Sequence, residues 1–236
     1  MFIETEFQVH LTTLTTMFGS CPNDPGIYAE HLQDEIDSST PEARAEIAAL
    51  PYDEEEGDKT DRTTVFLRVG DLPGIHSHVM KGFFKSACGA LWVVGGTFSS
   101  KVRAYKKRID TLIFIEPQII PLHPADNEIK NLTTYIDKTT GQVVCVRPLR
   151  AETAKGPRVA LARSEVLPPG TELTFKMIIV GKVPKLWRET TKKTPLHEEL
   201  LHEWLSYGRR HGLGSWRNAG WGQFTYEMKR LTPEPS

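Results

Sequence analysis

A glycine-rich segment near the C-terminus constrains the fold of this sequence more than any other part. It reads Gly212-Leu-Gly214-Ser-Trp216-Arg217-Asn-Ala-Gly220-Trp221-Gly222. Glycine reaches positive φ and lets another backbone approach closely, so two Gly-x-Gly pairs predict a tightly held loop. Two interpretations are open. In the first, the tryptophans are core residues beneath the loop. In the second, the loop offers its amides, its indoles and Arg217 to a nucleic acid.

A helix is predicted before this loop and a strand after it. Thr194 and Pro195 are a good cap and first-turn pair, and the helix is expected to run to about Arg210. Gly212 then falls where a C′ glycine would stand. Residues 222–228 alternate as a final strand.

The remaining pattern predicts a single α+β domain. A strand is expected at 5–17, and a helix begins near Val79. Further strands are expected at 63–69, 112–120, 142–148 and 171–180, two short helices at 27–50, and a loop at Gly156-Pro157. This order fits a ferredoxin-like or RRM-like βαββαβ core with insertions over residues 1–236. An acidic insertion is expected at 24–62 and a loose tail at 231–236.

The charge distribution is more informative than the net charge of −1. Residues 24–62 hold 13 acids and 3 bases, which leaves 26 bases and 17 acids for the rest of the chain. No apolar run is long enough to span a bilayer, and the three cysteines form no pair motif. We therefore expect a cytoplasmic protein with a basic body, and we hypothesise that the acidic segment 53–58 mediates head-to-tail contacts between copies.

Basic residues recur at three places outside the glycine-rich loop. Lys81 and Lys85 are four apart on the helix predicted to begin near Val79, away from its apolar face. A second cluster surrounds Tyr105 within 100–108. The third group, which we expect to follow a phosphate backbone, is Arg147, Arg150, Lys155, Arg158 and Arg163.

Two common cofactor sites are excluded by spacing. His197 and His202 are five apart, whereas a zinc HExxH motif needs two histidines four apart on one helical face. The glycine-rich loop follows a helix and lacks the Gly-x-Gly-x-x-Gly pattern of a dinucleotide site. We expect no cofactor and no metal.

Three segments together resemble the RAMP superfamily of CRISPR-associated RNA-binding proteins, most closely its backbone-type subunits. The Gly-x-Gly-x5-Gly-x-Gly spacing matches the glycine-rich loop of that family. Residues 72–87, containing Leu72-Pro-Gly and Met80-Lys-Gly-Phe-Phe-Lys, are similar to its "PGSSLKGxLR" helix, with lysine where arginine is usual. Residues 158–175 are similar to the stretch that leads into its "PxGTxFxF" strand. The acidic segment has no counterpart in that pattern.

The resemblance implies a protein that binds single-stranded RNA, or DNA, within a ribonucleoprotein of antiviral defence, together with other copies of itself or partner subunits. Some members are metal-independent endoribonucleases that use a histidine, which here would be His76 or His78. Others cut a target RNA with an aspartate after the first strand, and Asp24 lies at about that place. A third alternative is an assembly module that has kept the fold without binding nucleic acid.

Overall fold

The computed structural model describes residues 3–22, 63–153, 156–183 and 196–233. The chain forms two compact units. The first contains residues 1–17, 67–129 and 167–236, and the second contains residues 18–66 and 130–166. The second unit is therefore built from two stretches, each inserted between elements of the first. The predicted acidic insertion and the helices predicted at 27–50 lie outside the described residues.

The strands of the described residues are β1 (Glu4–Thr13), β2 (Met17–Phe18), β3 (Cys21–Pro22), β4 (Thr63–Val65), β5 (Leu67–Val69), β6 (Leu72–His76), β7 (Ile113–Glu116), β8 (Ile119–His123), β9 (Thr134–Ile136), β10 (Val143–Thr153), β11 (Gly156–Leu167), β12 (Glu172–Val180) and β13 (Phe224–Arg230). The α-helices are α1 (Ser77–Trp92), α2 (Tyr105–Leu112) and α3 (Glu198–Tyr207), with 3₁₀ turns at Ser99–Lys101 and Arg217–Ala219.

An antiparallel sheet forms the body of the first unit. Four of its strands lie in the order β13-β1-β12-β7, and each neighbouring pair is antiparallel. Helices α1 and α2 lie between β1 and β7 in the chain, and α3 lies between β12 and β13. This is the strand order of a ferredoxin-like βαββαβ core, so the predicted α+β class is confirmed.

The buried side chains of the first unit follow two repeats in the sequence, one of two residues in its strands and one of about 3.6 residues in its helices. Strand β1 buries every second residue, including Phe7 and Val9. Helix α1 buries Met80, Phe83, Phe84 and Ala87, which recur at helical spacing. Trp204 of α3 is fully buried, lies 5.8 Å from Phe84 between ring centroids, and donates from Nε1 to the Ser99 hydroxyl at 3.0 Å.

The same sheet continues through β8, β6 and β5. Strand β8 pairs with the start of β12, and β6 pairs with β8. The strand predicted at 112–120 is wrong in its extent, because it is two strands that stop and restart around Pro117. Pro121, directly after the predicted strand, lies inside β8 opposite Gly74.

The second unit contains a sheet in the order β3-β4-β11-β10-β9, with β2 beside β11. Its longest element is the hairpin of β10 and β11, in which Thr153 lies opposite Gly156. The loop predicted at Gly156-Pro157 is therefore displaced, because both residues belong to β11. Backbone pairing along the hairpin overrides the turn preference of this dipeptide.

Helix α3 begins and ends at residues that the sequence did not predict. It starts at Glu198, where the His197 side chain accepts from the Leu200 amide at 3.2 Å, while Thr194 and Pro195 lie outside the described residues. It ends at Tyr207, with Gly208 as its cap. A Cβ atom at Gly208 would collide with the Phe224 ring, so glycine is required there and Gly212 has another role.

Candidate nucleic-acid interface

The inner part of the glycine-rich loop, here called the loop seam, is the contact of Gly212 and Leu213 with Trp221 and Gly222. The Leu213 amide donates to the Gly222 carbonyl at 2.9 Å. A Cβ atom at Gly212 would collide with the Trp221 carbonyl, and one at Gly222 would collide with the Leu213 carbonyl. These two glycines are therefore required because the two arms of the loop touch through their backbones.

Threonines that follow β1 hold the far arm of the loop in place. The Gly222 amide donates to the Thr16 carbonyl at 2.9 Å. The Thr15 hydroxyl accepts from the Gln223 amide at 3.0 Å and donates to the Gly220 carbonyl at 3.2 Å. Sequence reasoning missed these residues, although closely spaced threonines after a strand are a known signal for side-chain bonds to a neighbouring backbone.

The outer part of the loop, here called the loop rim, is formed by the side chains of Trp216, Arg217 and Trp221. Their chain segment bends through Gly214 at φ 80°, Trp216 at φ 60° and Gly220 at φ 86°. The two indoles are half-buried and stack on each other, with ring centroids 6.4 Å apart and planes 29° apart. Neither ring is sunk in the core in the way that Trp204 is, and each residue is partly exposed to solvent.

His211 fastens the start of the loop to α1. Its Nε2 lies 3.1 Å from the Ser86 hydroxyl, and its ring stacks on Tyr207 at 5.6 Å between centroids. Burial lowers the pKa of His211 from its ordinary value, and the nearby positive charge of Arg217 lowers it further. Both effects favour the neutral form of the imidazole beside the loop rim. Only its position directly before Gly212 could have signalled this role.

The predicted stripe of Lys81 and Lys85 on α1 shares one acidic neighbour. Lys85 Nζ lies 2.6 Å from the Asp110 carboxylate. Lys81 donates to the Asp110 carbonyl at 3.3 Å and lies 5.0 Å from the centroid of the Phe114 ring. Burial lowers the pKa of Lys81, while Asp110 opposes this shift and Lys85 adds to it. The stripe keeps a positive charge, but Asp110 offsets part of it.

His76 and His78 lie where β6 passes into α1. Their imidazole rings stack with centroids 4.9 Å apart and planes 27° apart. His76 is half-buried, and His78 is exposed on the first turn of the helix. The structure therefore brings the two predicted acid–base residues together.

The second unit carries the third predicted basic group. Two predicted site residues, the acid Asp24 and the base Lys155, lie outside the described residues. Arg147 is buried, with its guanidinium 5.0 Å from the centroid of the Phe18 ring and donating to the Ser164 hydroxyl at 3.2 Å. The Arg147 guanidinium therefore contacts an aromatic ring and a hydroxyl group of the protein itself. In the hairpin register, Arg150 lies opposite Val159, Arg158 opposite Ala151 and Arg163 opposite Val146.

The part of the chain that the structure describes contains no group of three or more His, Cys, Asp or Glu side chains arranged to hold a metal ion. It also contains no helix long and apolar enough to cross a membrane. His202, the second histidine of the rejected zinc pattern, lies with Nδ1 2.9 Å from the Tyr226 hydroxyl.

Comparison with solved structures gives neighbours of low sequence identity. No family model and no curated protein matches the sequence. A chain of the type III-B Cmr-β complex bound to cognate target RNA superposes with a TM-score of 0.43 and 13% identity, covering 97% of this chain. This chain spans 61% of that longer chain. A chain of a type IV-B CRISPR complex gives a TM-score of 0.41 and 14% identity, with 98% of this chain and 93% of that chain covered.

Proposed function

We propose that this protein binds single-stranded RNA through the loop rim, as a subunit of the RAMP backbone type within a ribonucleoprotein or an assembly of its own copies. The observation that carries the proposal is the pair of half-buried indoles, Trp216 and Trp221, held beside Arg217 on a loop whose backbone is fixed from within. Such a rim offers flat faces and a positive charge, which are the two features that a single strand requires.

The proposed contacts act mainly on backbone and base faces. An indole stacked on a base contributes about 1–3 kcal/mol per base, and this term is tolerant of sequence because every base has a flat face. Arg217 and Lys81 would neutralise phosphates and release counterions, so affinity is expected to fall as salt rises. Binding of this kind follows a strand without reading its sequence.

The test is a fluorescence-anisotropy titration of labelled single-stranded RNA at low and moderate salt. We expect binding by the wild type, weakening by about 5- to 150-fold for Trp221→Ala, and a shallower salt dependence for Arg217→Ala. Lys229→Glu is the control, because this exposed residue of β13 lies outside the loop. Flat titrations for the wild type at both salt concentrations would contradict RNA binding and favour the assembly module.

We infer a second candidate function, metal-independent cleavage of RNA, from the stacked pair of His76 and His78 at 4.9 Å. One imidazole would accept the proton of a 2′-hydroxyl, and the other would donate a proton to the leaving 5′-oxygen. Incubation with RNA in EDTA separates the two functions. Cleavage that is lost in both His76→Ala and His78→Ala supports the nuclease, and intact RNA after prolonged incubation contradicts it.

A further inference from the structure

A groove in the first unit lies between the end of α1 and the start of α2. Its volume is about 470 Å³, which is within the range of ordinary ligand sites. Trp92, the last residue of α1, forms one side, and residues 102–107 form the other. Val102, which is 1% exposed, supplies an apolar floor. The groove contains the basic cluster around Tyr105 that the loop rim does not use.

The apolar wall of the groove is unusually open to solvent. Trp92 is 51% exposed, although tryptophan is highly buried on average, and Val93 and Val94 beside it are also exposed. Tyr105 lies against α1 because Gly89 leaves room for it, and a Cβ atom there would lie 2.7 Å from the Tyr105 hydroxyl. The groove is therefore bounded by two aromatic residues, one of which, Trp92, is about half exposed to solvent.

The opposite side of the groove is positively charged. Arg103, Lys106 and Lys107 are exposed, and they form no ion pair with any residue that the structure describes. The described lining residues include no acid. This differs from Lys85, whose charge is paired with Asp110 at 2.6 Å. Three cations that have no counter-charge among the described residues, beside an apolar wall, favour an anionic ligand that also has a flat apolar face.

On the charged side of the groove, one residue has a backbone conformation that is energetically unfavourable. Ala104 has φ 51° and ψ 39°, the left-handed region, which costs about 1–2 kcal/mol for a residue other than glycine. Ala104 lies between Arg103 and the first turn of α2, so its conformation places Arg103 and Lys106 around the same space. Strain held at a charged groove is a common feature of ligand sites.

We propose that this groove binds one nucleotide of a single strand, with its base stacked on Trp92 and its phosphates held by Arg103, Lys106 and Lys107. The inference rests on the proposed RNA-binding function but assigns a second contact, separate from the loop rim. The described lining offers no amide or carboxylate side chain to recognise a base edge, so this contact is also expected to tolerate any base.

The principal experiment measures affinity for a labelled oligouridylate long enough to contact both surfaces. We expect Trp92→Ala to weaken binding by about 5- to 150-fold. A double variant, Lys106→Glu with Lys107→Glu, should also weaken binding and reduce the salt dependence. The matched controls are Val93→Ala, an exposed neighbour of Trp92 outside the groove lining, and Lys229→Glu. Both controls should bind as the wild type does.

A second measurement follows Trp92 directly. The conservative variant Trp92→Phe keeps an aromatic face, so it should retain most of the affinity. The Trp92→Phe variant lacks the Trp92 fluorescence, however. When the oligonucleotide binds, the total quenching of tryptophan fluorescence should therefore be smaller in this variant than in the wild type. Trp92 is largely exposed, so the melting temperature of each Trp92 variant should match that of the wild type.

The outcomes separate this inference from the proposed function. If Trp221→Ala weakens binding while the groove variants bind as the wild type does, the groove inference is wrong and the loop rim stands. If the wild type binds no strand, both fall. If a peptide copying residues 53–58 quenches Trp92 and the oligonucleotide does not, the groove is a docking surface for the acidic segment of another copy, and the nucleotide assignment is overturned.

Discussion

The loop seam and the loop rim belong to one glycine-rich segment, but glycine is required for a different reason in each part. In the seam, Gly212 and Gly222 are in contact through their backbones, and no larger side chain fits. In the rim, Gly220 has open space beside it, and its φ of 86° is the reason for glycine there. The seam fixes the fold of the loop, and the rim carries the proposed RNA contacts.

The first prediction concerns the stability of these two parts. Gly222→Ala should lower the free energy of unfolding by about 3 kcal/mol or more, because the added methyl collides with the Leu213 backbone at a φ of 69°. Gly220→Ala meets no such contact and should cost only about 1–2 kcal/mol of backbone strain. Urea denaturation of both variants measures the difference, and equal losses would contradict the distinction between seam and rim.

The second prediction compares a core tryptophan with a rim tryptophan. Trp204→Ala should destabilise the protein by about 3–5 kcal/mol, because it empties a fully buried site and leaves the Ser99 hydroxyl without its donor. Trp221→Ala should cost much less stability and should affect RNA affinity instead. Thermal melting monitored by circular dichroism gives the first quantity. A larger loss of stability in Trp221→Ala than in Trp204→Ala would place the rim indole in the core.

The third prediction is a loss of stability in mild acid. The folded protein lowers the pKa of both His197 and His211, in each case mainly by burial. The unfolded chain therefore takes up protons first as the pH falls below about 6.5, and the stability present above that value is lost. We expect the melting temperature to fall by about 2–4 °C for each kcal/mol lost between neutral pH and pH ~5.5.

Two variants check the origin of this pH dependence. His197→Asn keeps a residue that caps helices well, and His211→Gln keeps a polar partner for Ser86. Each should flatten part of the dependence of melting temperature on pH. Retention of the full wild-type dependence in the double variant would show that other groups cause it.

The smallest predicted effect comes from the acid that shields the α1 lysines. Asp110→Asn removes the partner of Lys85 and should change stability by less than about 1 kcal/mol, as is usual for an exposed ion pair. RNA affinity should rise slightly at low salt, because the stripe of Lys81 and Lys85 then carries its full charge. Anisotropy titrations at two salt concentrations measure this change, and a fall in affinity would argue against the stripe as a phosphate contact.

The sequence predicted those elements that local periodicity determines. The alternation of Leu173, Phe175 and Met177 predicted β12, and the helical spacing of Met80, Phe84 and Ala87 predicted α1. The positions of Trp216 and Trp221 in a tight loop were also evident from the glycines around them. In these segments, the structure that neighbouring residues favour is the structure that the chain adopts.

Features set by distant contacts could not be predicted in the same way. The start of α3 depends on a histidine acting as a cap, which is an uncommon choice. The long hairpin of β10 and β11 depends on pairing between the two strands, and the Gly156-Pro157 dipeptide within β11 predicts a loop instead. The role of Gly212 depends on a contact with Gly222 across the loop, and the sequence alone shows only that both are glycines.

The most direct test of the central claim is a Trp216→Gly variant measured for both stability and RNA affinity. Trp216 has a φ of 60°, which glycine adopts without strain, so the variant should be at least as stable as the wild type apart from the lost indole contact. We predict an unchanged or higher melting temperature together with an affinity lower by about 5- to 150-fold. A large fall in melting temperature with unchanged affinity would contradict the claim that the rim indoles face a nucleic acid.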